Sequence, residues 1–185
     1  MVYPFAEASP RLKARIAGMF YLLTFLAGTF AAFGEGRLAA YGDAANLTAT
    51  GCYIAVTLLF YDLFKPVNKQ LSLVAALIGL AGCALGALRS LHLAILAIDP
   101  LVFFGVYCLL IGYLISKSGF LPQVLGVLMV LGGLGWLTFF SEDLAHSLSP
   151  YNMVAGMLAE GLLTLWLLSV GVNVPKWREK AGSAS

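Results

Sequence analysis

The chain has 185 residues, of which 61% are hydrophobic and only 11% are charged, and its mean hydropathy is +0.91. Soluble domains are about half apolar and a quarter charged, so this composition excludes an ordinary soluble globular protein. At about 20 residues per crossing the length accommodates about six membrane spans with short loops, so residues 1–185 form a single integral membrane domain.

Arg11, Lys13 and Arg15 precede an uncharged run over 16–34. The apolar core of a signal peptide is about 7 to 15 residues, so this longer run reads as a retained first helix. A polar, glycine-containing loop over 35–46 leads to a second span over 47–64. The basic turn Lys65-Pro66-Val67-Asn68-Lys69 follows, where proline removes a backbone donor and disfavours helix in the residue before it. A third span covers 71–96, Asp99-Pro100 marks the next turn, and a fourth span covers 101–116 and ends at Lys117-Ser118-Gly119. The fifth covers 120–140, with Pro122 acceptable in its first turn. Ser141 to Pro150, with Glu142, Asp143 and His146, forms an acidic loop or a short surface helix. The sixth span covers 151–172, and a basic tail with Lys176, Arg178 and Lys180 closes the chain.

With six spans, Arg11, Lys13, Arg15, Lys65, Lys69, Lys117, Lys176, Arg178 and Lys180 all fall on one side and only Arg37 and Arg89 on the other. The positive-inside rule then makes both termini cytoplasmic. The expected fold is an all-α, polytopic helical bundle of six transmembrane helices, a multi-pass protein of a bacterial inner membrane. Because the basic residues are spread over short loops, nothing supports nucleic-acid binding.

The third span carries the most unusual polar group. Ala75, Gly79, Gly82, Gly86 and Arg89 recur at three- and four-residue steps and form one stripe on a helix. Small residues let another backbone approach, so Arg89 is expected to face protein rather than lipid. His92 lies beside it. In the sixth span Gly156, Glu160 and Thr164 share a face, with Glu160 roughly 12 Å below the outer end. An unpaired charge near the centre of a span costs at least about 2.5 to 3.5 kcal/mol on insertion scales. Arg89 and Glu160 are therefore expected to meet in the outer half of the bundle, in an outward-facing polar site between spans 3 and 6. The pair could equally serve only to lock two helices in register.

His92 would complete the wall of such a site or sit at the interface and bond to water. Tyr53 and Thr57 in the second span, Tyr107 in the fourth and Trp136 in the fifth are further candidates for its lining, although aromatics at this depth are commonly interface anchors. Asp62, near the inner end of the second span, is expected to pair with Lys65 or Arg15. No metal-peptidase helix, nucleotide-binding glycine loop or Cys-x-x-Cys pair is present, and no cofactor is expected. Haem or zinc through His92 and His146 is the weakly supported exception. Cys52, Cys83 and Cys108 are odd in number and dispersed within spans, which argues for packing roles. Asn46-Leu47-Thr48 matches a glycosylation acceptor, which the bacterial character of the chain discounts.

Four stretches suggest a family: ARIAGMFYLLTFLAG (14–28), LFKPVNK (63–69), GYLISKSGFLPQVLGV (112–127), and AEGLLTLWLL (159–168) followed by Gly171-Val172-Asn173. Together they resemble the bacterial membrane proteins grouped as "domain of unknown function 4386". The resemblance implies six helices in an inner membrane and a tendency to keep Glu160, and it implies no activity.

Three readings follow. The first is a binding protein, open to transport, that receives a small anionic or amphipathic ligand or a lipid headgroup at Arg89 and Glu160. A fixed cation in a low-dielectric bundle suits an anion. The second is an intramembrane enzyme with Glu160 or His92 as base and Arg89 as electrostatic stabiliser. The third is a structural or assembly subunit, a homo-oligomer included, that uses the Gly82-xxx-Gly86 stripe between chains. The bilayer itself is the partner common to all three.

Overall fold

Runs of about 20 apolar residues in a bilayer must satisfy their backbone groups internally, and the helix does so within one segment. The computed structural model describes residues 9–33, 41–93 and 98–183. Its elements are α1 (Pro10–Phe33), α2 (Gly42–Phe64), α3 (Lys69–Ser90), α4 (Pro100–Ser118), α5 (Gln123–Leu137) with a 3-10 turn at Thr138–Phe140, α6 (Glu142–Leu148), α7 (Tyr151–Ser169) and α8 (Val174–Gly182). Six of these, α1 to α5 and α7, are long and apolar enough to cross a membrane. Arg37 lies outside the described residues.

Each long helix packs on its neighbours in sequence, and α7 closes the ring by packing on both α5 and α1. Tyr21, Phe60, Tyr107, Ile111, Met129 and Leu163 fill the interior and are almost fully buried. Large apolar side chains such as Leu77, Leu131 and Leu165 stay exposed. Over six membrane-length helices such a surface is the part that lipid covers.

The backbones of α4 and α5 approach each other closely. Gly105 and Gly112 on α4 oppose Gly133 and Gly126 on the antiparallel α5. A Cβ placed on Gly112 would lie 2.6 Å from the Gly126 carbonyl oxygen, and one on Gly133 would lie 2.8 Å from that of Gly105. The two backbones touch at two levels, seven residues apart on each helix. By contrast, the Ala75–Gly82 part of the α3 stripe is buried against aromatic side chains. Gly79 abuts the Tyr107 ring and Gly82 abuts Phe103 and Phe104. The stripe does face protein, as its spacing implies, but it opens at Gly86 and leaves Arg89 exposed.

Several boundaries differ from those expected. α1 begins at Pro10 rather than 16, so Arg11, Lys13 and Arg15 are part of it, and α7 ends at Ser169 rather than 172. Residues 42–46, assigned to a loop, belong to α2, so the Asn46-Leu47-Thr48 triplet is helical, with the Thr48 hydroxyl donating to the Ala44 carbonyl at 2.8 Å. The third helix stops at Ser90 rather than near 96. His92 takes a left-handed conformation (φ 56°), and the His92 and Leu93 N–H groups donate to the Arg89 and Leu88 carbonyls at 3.0 and 2.8 Å. These are the two bonds of a Schellman stop. The basic tail folds as α8, capped by the Asn173 side chain, and the Trp177 indole donates to the Leu63 carbonyl at 2.9 Å. Asp62 bonds Lys65 as expected, and its second partner is Lys13 rather than Arg15.

The glycine contacts give a direct test. Gly112→Ala or Gly126→Ala drives a methyl group into a carbonyl that cannot turn away, so each should destabilise by about 1 to 3 kcal/mol. Gly28→Ala on α1, with nothing within 4 Å of its added carbon, should leave the thermal unfolding midpoint in detergent unchanged or higher. Equal midpoints for all three variants would contradict the close approach of α4 and α5.

Candidate functional site

Glu160 lies nine residues into α7, roughly 13 Å from its start at 1.5 Å per residue, and is 7% exposed. Gly156, one turn earlier, makes room for the indole of Trp136: a Cβ there would lie 2.2 Å from its Cε2. The ring lies against the α7 backbone, and its Nε1–H donates to Glu160 Oε1 at 2.6 Å. From α1 the Tyr21 hydroxyl donates to Oε2 at 2.6 Å. The Cys108 thiol of α4 makes a longer contact to Oε1 at 3.8 Å. One carboxyl therefore gathers donors from three helices of the ring around α7.

Behind these donors lies a second layer. The Tyr53 hydroxyl on α2 is 3.4 Å from that of Tyr21. Since Tyr21 gives its one hydroxyl proton to Glu160, Tyr53 is the donor between them. The Tyr53 ring meets those of Tyr21, Phe104 and Tyr107 at centroid distances of 5.5, 4.8 and 5.8 Å. Among the described residues the Tyr107 hydroxyl is the buried side-chain oxygen or nitrogen without a hydrogen-bond partner. The Thr57 hydroxyl is turned to the Tyr53 carbonyl at 2.9 Å. The stripe of Gly156, Glu160 and Thr164 is buried along its length, as its four-residue spacing implies.

Arg89 and Glu160 do not meet, contrary to the expectation from sequence. Arg89 Nη1 bonds Asp99 Oδ2 at 2.8 Å, with its side chain 63% exposed. The early end of α3 is the physical reason, since it puts Arg89 in the last turn instead of well below the surface. The chain then returns to Asp99, whose other oxygen caps α4 by accepting from Leu101 N–H at 2.9 Å. His92 pairs with Asp43 at 3.3 Å and is 83% exposed. The outward site between spans 3 and 6 is therefore replaced by two separate features. A polar rim of Arg89, Asp99, His92 and Asp43 lies at one end of the bundle, and Glu160 of α7 is buried against α1, α4 and α5.

Of the six residues singled out in the sequence, the structure brings Tyr53, Tyr107, Trp136 and Glu160 together and leaves Arg89 and His92 at the rim. Tyr53 and Tyr107 are interior groups rather than interface anchors. Sequence reasoning missed Tyr21, whose signal was the single tyrosine in an uncharged span, and gave Cys108 only a packing role. Among the described residues no three His, Cys, Asp or Glu side chains are grouped as a metal ion would need.

The chain belongs to the family described as Domain of unknown function (DUF4386), which matches residues 88–171. That stretch includes Tyr107, Cys108, Trp136 and Glu160. The chain is also similar to an uncharacterized protein of Archaeoglobus fulgidus, with 31% identity over 127 residues that cover 64% of this chain and 76% of that protein. No solved structure matches.

Glutamine at position 160 can still accept from Trp136 through its oxygen and donate to the Tyr21 hydroxyl through its amide. Leucine removes the acceptor of the half-buried Trp136 N–H and leaves Tyr21 only its longer contact to Tyr53, at up to about 1 to 3 kcal/mol for each lost bond. Glu160→Leu should therefore lower unfolding stability in detergent far more than Glu160→Gln. Equal losses would show that these hydrogen bonds do not hold the helices.

Proposed function

We propose that this member of a family of unknown function is a non-enzymatic binding protein of the membrane, open to transport, whose working group is Glu160 and whose ligand there is a proton. The observation that carries the reading is the kind of neighbour the carboxyl has. None of the ion pairs among the described residues includes Glu160, and the groups that reach its oxygens are neutral donors. A carboxyl without a fixed counter-charge attracts positive charge, and the low dielectric of the interior strengthens that attraction. The anionic ligand expected from sequence relied on Arg89 beside Glu160, a placement the structure does not have.

Of positive ligands, the proton is the one that a closely packed aromatic cage admits without opening. Hydroxyl groups pass protons by exchanging donor and acceptor roles, and chains of polar side chains inside membranes commonly mark such routes. Tyr53, Tyr21 and Glu160 form a sequence of this kind, and the Tyr107 ring packs against that of Tyr53. The enzyme reading needed Arg89 beside Glu160 or His92; Glu160 is buried away from Arg89, and at the rim Arg89 and His92 are each bonded to a different carboxylate, Asp99 and Asp43. A purely mechanical role for the cluster is favoured by one observation, that both oxygens of Glu160 are already bonded and tie α7 to α1 and α5.

Infrared difference spectroscopy across the pH range in which the fold persists separates these two readings. The proton reading expects a carboxyl C=O band that titrates, is absent in Glu160→Gln and shifts in Tyr21→Phe. If no titrating carboxyl band is lost in Glu160→Gln, the proton reading fails and the cluster is a fastener between helices.

A further inference from the structure

At the end of the bundle opposite the Arg89 rim, the end of α7, the turn between α4 and α5 and the first turn of α8 enclose a groove of about 440 Å³. Its walls are set by fixed contacts. Gly171, at φ 75°, turns the chain out of α7, and Asn173 N–H then donates to the Phe120 carbonyl at 3.0 Å. The Asn173 side chain accepts from Lys176 N–H at 3.2 Å and so starts α8. Trp177 anchors α8 from its other side through Leu63. Arg11 lies across the Gly171 turn, where a Cβ would be 3.0 Å from its Cγ.

Most of the cations at this end join no ion pair among the described residues, and two of them line the groove. Lys13 and Lys65 share Asp62, whereas Arg11 and Lys176 both line the groove and join no ion pair among the described residues. Among those residues, this end of the bundle carries nine Lys and Arg side chains against Asp62 and Glu179. The groove is not purely polar, since Trp166 of α7 and Val170 just beyond its end form one wall. Val170 is 47% exposed, and Leu162, one turn before Trp166 on the same face, is 44% exposed. Two cations without an ion pair among the described residues therefore share the groove with an apolar strip on a membrane-facing helix, with a tryptophan at the level where aromatic side chains meet lipid headgroups.

We propose that this groove seats an anionic membrane lipid, with the headgroup phosphate on Arg11 and Lys176 and an acyl chain along Trp166 and Leu162. Basic pockets between helices at a membrane surface take phosphate-bearing headgroups in this way. The apolar strip makes the occupant a lipid rather than a free anion, because a soluble phosphate gains nothing from Trp166 or Leu162. The site is independent of Glu160, and its failure would leave the proton reading untouched.

The test is native mass spectrometry of delipidated protein in mild detergent, titrated with phosphatidylglycerol and with phosphatidylcholine of the same acyl chains. The wild type should bind phosphatidylglycerol about tenfold or more tightly than phosphatidylcholine, as two surface cations acting on one phosphate would give. Arg11→Gln with Lys176→Gln should lose that preference while unfolding at the wild-type temperature, since both side chains are exposed. Lys69→Gln with Lys117→Gln, which removes the same charge elsewhere at this end, should keep it, as should Glu160→Gln. The proposal is overturned if the two lipids bind alike, if the Arg11 and Lys176 variant keeps the preference, or if the control loses it equally. Displacement of the bound lipid by an equal concentration of glycerol phosphate would also overturn it, by assigning the groove to a soluble anion.

Discussion

A carboxyl group buried among apolar helices has to be given hydrogen-bond donors by those helices, because lipid and hydrocarbon side chains offer none. Much of the bundle's geometry answers to that constraint at Glu160. Trp136 reaches the carboxyl only because Gly156 lets the indole lie against the α7 backbone. Tyr21 reaches it only because α7 returns to pack on α1 and so closes the ring. α5 can stand between α4 and α7 because glycines thin both its faces. Gly126 and Gly133 meet α4, while Gly132 and Gly135 meet Ala159 and the Asn152 carbonyl. Close backbone packing of this kind is how helices associate where there is no hydrophobic drive between them.

Apart from Glu160, the charges keep to the two ends, and each end handles them differently. At the Arg89 end Arg89 pairs with Asp99 and the His92 imidazole meets Asp43, while Glu142 and Asp143 join no ion pair among the described residues. Such exposed pairs are worth at most about 1 kcal/mol each, so they trim loops more than they hold the fold. At the other end positive charge is in excess, and α8 brings Lys176, Arg178 and Lys180 to the surface beside Arg11. This asymmetry has the form that orientation in a membrane demands, and it also leaves cations free for an anionic surface.

The six long helices were legible in the sequence because hydropathy over about 20 residues is a strong signal. Glu160 was legible as an inward-facing group because Gly156 and Thr164 share its face. The partner of Glu160 was not legible. Residues 93–96 continue the apolar run past Ser90, so nothing in hydropathy marks the end of α3. The stop is made by a left-handed His92, at a position where glycine is the usual sign. With α3 drawn several residues too long, Arg89 seemed deep enough to require Glu160. Tyr21 was missed for a related reason: a tyrosine in an apolar run adds little to any periodic pattern, and its importance comes from α7 arriving beside it. The paired glycines of α4 and α5 were visible as residues, but which helices they join is a property of the ring. The final helix was hidden by its composition, since a basic, polar segment reads as a tail until Trp177 is seen to dock on Leu63.

The claim on which the account depends is that one carboxyl couples α1 to α5 through α7. A double-mutant cycle of Tyr21→Phe and Trp136→Phe measures it directly, run on unfolding free energies in detergent and repeated in a Glu160→Leu background. Groups that share a bonded partner show interaction energies of about 0.5 to 3 kcal/mol. The account predicts a coupling in that range with Glu160 present and none with leucine in its place. Additivity within about 0.3 to 0.5 kcal/mol while Glu160 is intact would contradict it.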